Sequence, residues 1–129
     1  HDIWLMGRDG ANQRAFTKTT DRNETEPRFL RDGSLAYLVE RREANRTVRQ
    51  VVKADLATGA VTPLTGIDLP IASFAVAPGG DLIALVVPAD PGNRRNPMYR
   101  VYLQTIGGAA PTPIPAGPSD QMVAPVFLP

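Results

Sequence analysis

The sequence predicts an all-β fold that repeats a four-stranded antiparallel unit. Short apolar runs alternate with turns, and the 13 Pro and 11 Gly among 129 residues suit many short strands better than long helices. The apolar run at residues 82–87 follows a turn at residues 77–80, and a similar run at residues 35–39 follows a turn at residues 31–33. Each run is apolar on both faces, which is typical of a strand that lies between two layers.

Eleven strands are predicted along the chain, each bounded by turn residues or by a polar segment. They occupy residues 2–6, 12–17, 27–30, 35–39, 48–56, 61–65, 71–76, 82–87, 98–106, 110–115 and 122–129. Residues 18–26 contain no apolar side chain and residues 40–47 are strongly charged, so both segments are predicted loops, as are residues 88–97.

The predicted strands recur with a nearly constant period. Equivalent positions before the third turn of each unit are 48 and 50 residues apart; they are Met6, Ala54 and Gln104. The positions eleven residues further on have the same spacing; they are Thr17, Thr65 and Pro115. The first strands recur through Phe29, Val76 and Phe127, at 47 and 51 residues. Four strands in a repeat of about 40–50 residues are typical of β-propeller blades. A β-sandwich of unrelated short strands is the competing interpretation.

The predicted architecture is therefore a fragment of a β-propeller with about three four-stranded blades, two of them complete and two partial. Residues 1–26 would form the end of one blade and a linker, residues 27–70 and 71–121 one full blade each, and residues 122–129 the first strand of the next blade. Propellers close with about four to eight blades. We therefore expect either self-association of several copies or the remainder of a longer propeller to complete the ring.

The turn residues have a structural interpretation. Positive φ is predicted at the four glycines of the tight turns, Gly10, Gly33, Gly59 and Gly80, and the carboxylates of Asp9 and Asp32 are predicted to accept hydrogen bonds from the backbone ahead of them. Trp4, the single tryptophan, is predicted to fill space between blades, with aromatic recognition of a ligand as the alternative.

Several motifs resemble the repeat of TolB-like β-propellers, which are WD-like repeat proteins. They are Asp2–Met6 with Asp9-Gly10 and the closing Phe16-Thr17, and the stretch Ala77–Leu85. The resemblance covers nearly the whole chain, although Arg31 and Gly79 depart from the usual Ser-Pro-Asp-Gly turn. It implies an extracytoplasmic, periplasmic bacterial protein that recognises a protein or peptide, and it likens Asp2 and Asp55 to the structural aspartates of the family.

Basic residues mark a candidate binding face. Successive loops of a blade alternate between its two ends, so the longer predicted loops would gather at one end, where repeat proteins usually bind. The predicted ligand residues there are Arg22, Arg41, Arg42, Arg46, Arg94 and Arg95. Guanidinium groups suit a carboxylate or an acidic peptide. The alternative is that these arginines are solvated loop charges with local partners.

Catalytic signals are missing from the sequence. The chain has no Cys, its only His is His1, and it lacks the G-x-S-x-G, P-loop and H-E-x-x-H patterns. We therefore expect a binding module without catalysis, cofactor or metal. The net charge of +1 gives no electrostatic support for nucleic-acid binding, and no apolar run approaches the roughly 20 residues of a membrane-spanning helix.

Two other functions remain open from the sequence. Propellers with similar repeats control substrate access in serine peptidases of the prolyl-oligopeptidase type, which would require a hydrolase domain elsewhere in a longer parent chain. A self-assembling scaffold would instead form a defined oligomer in solution.

Overall fold

The computed structural model describes residues 1–67, 69–77, 80–89, 98–106 and 112–113, and this part of the chain is all-β. Its strands are β1 Trp4–Leu5, β2 Arg14–Ala15, β3 Arg22–Phe29, β4 Leu35–Glu43, β5 Arg46–Ala54, β6 Val61–Pro63, β7 Ser73–Val76, β8 Leu82–Pro88, β9 Tyr99–Thr105 and β10 Thr112–Pro113. The predicted strand at residues 122–129 and most of the predicted loop at residues 88–97 lie outside the described residues.

Three antiparallel sheets contain these strands. The hairpin sheet pairs β1 with β2, the middle sheet has the order β3-β4-β5-β6, and the last sheet has the order β10-β9-β8-β7. Within each sheet, strands that are adjacent in sequence pair with each other, so the prediction of an all-β, antiparallel fold is confirmed. Among the described residues, no helix is long and apolar enough to cross a membrane.

The predicted repeat is visible in the strand register. One cross-strand pair occupies the same place in each of the three sheets; the pairs are Trp4↔Ala15, Val52↔Pro63 and Tyr102↔Pro113. From one sheet to the next, both residues of the pair are displaced along the sequence by 48 and then by 50 positions. An equivalent buried hydrogen bond also occurs in each of the first two sheets. The N–H of Ile3 donates to Thr17 Oγ1 at 2.8 Å, and the N–H of Val51 donates to Thr65 Oγ1 at 3.0 Å. The period predicted from the sequence is therefore a structural period as well.

The middle sheet lies between the other two. Alternate residues of β4 belong to two separate apolar clusters, because successive side chains of a strand point to opposite faces. Leu35, Tyr37 and Val39 pack with residues of the hairpin sheet such as Ile3. Ala36 and Leu38 pack in the other cluster with residues of β8, which are Ile83, Leu85 and Val87. The prediction that this strand lies between two layers is confirmed.

Two of the predicted loops are wrong. Strand β3 already begins at Arg22, and the hairpin of β4 and β5 continues to a two-residue turn at residues 44–45. The hydrogen-bonded ladders of these strands extend beyond the apolar core. The side chains at these strand ends are polar on both faces of the sheet, so the sequence shows no hydrophobic period there. Charged pairs occupy the ladder instead, as where Glu40 opposes Arg49 with 2.6 Å between the carboxylate and the guanidinium.

The turn predictions are confirmed. The four predicted glycines have φ between +75° and +86°, and Ala11 and Ser34 donate their N–H groups to the carboxylates of Asp9 and Asp32. Trp4 was predicted to fill space between blades; it does not lie between the hairpin and middle sheets, and it is 64% exposed on the outer face of the hairpin sheet. Its equivalent in the repeat, Val52, is buried because the hairpin sheet covers it.

Candidate binding groove

A groove of about 500 Å³ lies between the hairpin sheet and the middle sheet. We call it the groove. One side of the groove is residues 16–19, which follow β2, and the other side is the face of the middle sheet that is directed toward the hairpin sheet. This face of the middle sheet contributes both apolar and charged side chains; they are Arg22, Glu24, Tyr37, Val39, Arg41, Gln50, Val52, Val61 and Pro63.

The groove stays open because of the linker that follows β2. The corresponding linker after β6 contributes Leu64, Leu69 and Ile71 to the cluster between the middle and last sheets. After β2, the position of Leu64 is taken by Phe16, but residues 18–21 are Lys-Thr-Thr-Asp and have no apolar side chain to bury. The repeat therefore fills this space at one inter-sheet contact and leaves it open and polar at the other.

A buried carboxylate lies in the groove. The Glu24 side chain is only 3% exposed, and its Oε1 accepts a hydrogen bond from Thr19 Oγ1 at 2.6 Å. Its Oε2 is also buried, and none of the described residues donates a hydrogen bond to it. Buried carboxylate oxygens normally have a donor, so this acceptor is one that a bound molecule can satisfy.

Two arginines face each other across the strands at one end of the groove. Arg22 on β3 is paired in register with Arg41 on β4, so both guanidinium groups start from the same face. Asp21 binds Arg22 through two hydrogen bonds of 3.0 and 2.8 Å, and the Arg22 guanidinium lowers the pKa of the Asp21 carboxyl. Arg41 is held more loosely, since its contacts with Gln50 and Glu43 are both 3.3 Å. Like charges placed opposite each other are destabilising by themselves, which favours an anion between them.

The structure brings three of the predicted ligand residues together. Arg22, Arg41 and Arg42 line a second pocket of about 210 Å³ at the same end of the middle sheet. Asp21 and Glu40 line it as well, and their carboxylates are paired with Arg22 and Arg49. Arg46 lies opposite Glu43 beside the hairpin turn and lines neither cavity. Arg94 and Arg95 lie outside the described residues.

Sequence reasoning did not single out Tyr37, Gln50 or Glu24 as site residues. Tyr37 and Gln50 lie on strands that the sequence also predicts, and Tyr37, Val39 and Arg41 are two residues apart on β4. Strand alternation would have placed these three side chains on one face, provided that β4 had been extended beyond Val39. Glu24 gave no such signal, because it belongs to a polar segment whose strand is defined only by its pairing with β4.

The hydroxyl of Tyr37 reports on the groove through its pKa. Burial raises this pKa, the Glu24 carboxylate raises it further, and Arg22 partly opposes the effect. A pKa raised by folding stabilises the native state fully below the unfolded value of about 10, and the contribution is lost as the pH rises through the folded value. We expect alkaline unfolding curves to show this loss, and Tyr37→Phe to flatten the dependence of the unfolding free energy above about pH 10. The tyrosinate absorbance step that Tyr37→Phe removes measures the pKa of Tyr37. A midpoint at or below the ordinary pKa of tyrosine would contradict the raised pKa.

Known protein families and curated proteins offer no function for this chain by similarity. A scan against protein-family models found no matching family, and a search of curated proteins found no match. Within the described part of the chain, no group of three or more His, Cys, Asp or Glu side chains is arranged to hold a metal ion. The chemistry of the groove is thus that of three cations, Lys18, Arg22 and Arg41, beside one buried carboxylate and an apolar wall.

Proposed function

We propose that this chain is a non-catalytic β-propeller module of the TolB-like type that binds a protein or peptide. The repeated register and the face-to-face packing of three successive antiparallel sheets support the propeller arrangement. The single His at position 1 and the lack of Cys are consistent with binding in place of catalysis. An extracytoplasmic location is proposed with it, on the resemblance of the turn and strand motifs alone.

One observation carries the binding proposal, which is the convergence of Arg22, Arg41 and Arg42 on one pocket at the end of the middle sheet. Arginine binds carboxylates through paired N–H donors, and such charge-assisted bonds are stronger than neutral ones. The chemistry therefore fits an acidic segment of a protein or peptide. The surface is formed by strand ends and a tight hairpin, in place of the long loops that the sequence predicts.

Completion of the ring by further sheets belongs to the same proposal. Trp4 and Met6 are 64% and 67% exposed, whereas their equivalents in the repeat, Val52 and Ala54, are buried under the hairpin sheet. This exposure supports a further sheet at this face, from the remainder of a longer propeller or from self-association.

Binding of an acidic peptide with both termini capped tests the proposal. We expect Arg41→Ala combined with Arg42→Ala to weaken binding at least tenfold in titration calorimetry, which corresponds to about 1.4 kcal/mol. The matched control is Arg8→Ala combined with Arg28→Ala, which removes the same charge from exposed positions outside both cavities. We expect the control to bind within about twofold of the wild type. Equal losses in the two variants would show non-specific charge attraction, and no binding of this capped peptide by the wild type would refute recognition of an internal acidic segment at this pocket.

A further inference from the structure

We propose that the groove binds the free C-terminus of a peptide whose last residue is apolar. The inference rests on the proposed peptide-binding function and specifies the part of the peptide that is recognised. It follows from three features of the groove, which are a loosely held arginine, an apolar wall beside it and a buried acceptor without a donor.

Arg41 is the residue that we assign to the terminal carboxylate. Its hydrogen bonds to Gln50 and Glu43 are both 3.3 Å long, and its side chain is 26% exposed. Arg22, in contrast, is bound by Asp21 through two shorter hydrogen bonds of 3.0 and 2.8 Å. The Arg41 guanidinium can therefore turn toward a ligand with the smaller loss of hydrogen bonding, while Arg22 and Lys18 add positive charge around it.

The apolar wall continues directly from Arg41 along the same strand. Val39 and Tyr37 are two and four residues before Arg41, so they lie on its face at steps of about 7 Å. Val52 on β5 and Phe16 across the groove complete the wall. A C-terminal residue carries its carboxylate and its side chain on the same carbon, which matches a cation beside an apolar surface. An internal Asp or Glu would instead place polar peptide groups against this surface on both sides.

Glu24 supplies the third feature. It is paired in register with Val39, so it lies on the same face as the apolar wall, diagonally across the strands from Arg41. Its Oε2 is buried without a donor among the described residues. The backbone N–H of a bound terminal residue is attached to the same Cα as its carboxylate, and it can donate a hydrogen bond to this oxygen. The groove volume of about 500 Å³ accommodates the last two or three residues of a peptide.

The test uses one N-acetylated peptide with an apolar last residue, prepared with a free C-terminal carboxylate and with a C-terminal amide. We expect the free acid to bind at least tenfold more tightly in fluorescence anisotropy. Arg41→Ala should weaken binding of the acid and abolish the difference between the two peptides, because the carboxylate and the guanidinium then no longer interact. Arg46→Ala, which lies outside both cavities, should retain the difference. Arg41→Lys keeps the charge and should retain part of it, which guards against misfolding of the alanine variant.

The doubly capped acidic peptide of the preceding test is measured in parallel. If it binds and the acid and amide peptides bind equally, the proposal of C-terminal recognition is overturned while the peptide-binding function stands. If the difference persists in Arg41→Ala, the carboxylate lies elsewhere and the assignment of the groove is wrong. If no peptide binds, both proposals fail.

Discussion

Replacement of Leu38 by alanine is expected to lower the free energy of unfolding by about 2–5 kcal/mol. Leu38 is 2% exposed and belongs to the cluster that joins the middle and last sheets. Removal of its isobutyl group takes apolar surface from the core and leaves a cavity between two sheets, and the ladders on either side of β4 limit how far the backbone can close it. The expected loss is a large part of the total stability of a domain of this size.

Equilibrium unfolding in urea measures this loss, and a second variant tests whether the middle sheet is packed on both faces. Leu35→Ala removes a side chain that is 1% exposed in the cluster with the hairpin sheet, and a similar loss of about 2–5 kcal/mol is expected. Val61→Ala, at a side chain that is 54% exposed, is the control and should cost less than about 1 kcal/mol. A small effect for either leucine would mean that its face of the sheet is not covered in solution.

Replacement of Thr65 by valine is expected to cost about 1–3 kcal/mol. Thr65 Oγ1 accepts a hydrogen bond of 3.0 Å from the N–H of Val51, and both residues are buried. Valine has nearly the shape of threonine but cannot accept this bond, so the Val51 N–H would remain buried without an acceptor. An unsatisfied buried donor costs more than an ordinary hydrogen bond contributes.

Thr65→Ser is the matched control, because it retains the hydroxyl and removes only a methyl group, and it should be less destabilising than Thr65→Val. The same ordering is expected at Thr17, whose Oγ1 accepts a bond of 2.8 Å from the N–H of Ile3 in the equivalent place of the hairpin sheet. Thermal and urea unfolding of the four variants measure both positions. If the serine variants lose as much as the valine variants, the methyl group and not the hydrogen bond carries the stability.

The core elements of the fold could be predicted because their side chains carry the pattern. Strand β8 and the first half of β4 are apolar at every position, so their burial follows from composition. The turns could be predicted because Gly33 and Asp32 have specific local chemistry, which the structure shows as positive φ and a hydrogen bond to the Ser34 N–H. These signals depend on residues close in sequence.

The candidate groove could be predicted only in part. Arg22, Arg41 and Arg42 were expected on one face, and the structure places them around one pocket. The sequence assigned all three to loops, because Arg22 lies in a polar segment and Arg41 and Arg42 in a charged one, and neither segment shows a hydrophobic period. Their positions on β3 and β4 depend on hydrogen bonds between strands, which are non-local and invisible to a search for local patterns.

The sequence by itself determined the all-β class, the four-strand order of the repeat, its period of 48 and 50 residues, and the tight turns that join the strands. Each of these is set by alternation, turn chemistry or spacing along the chain. Only the tertiary structure decided that β3, β4 and β5 continue into polar sequence, that Glu24 is buried, and that a groove remains beside it. The physical reason is that the groove depends on the linker at residues 18–21. This linker has no apolar side chain to fill the space between two sheets, and that space exists only once the two sheets have packed.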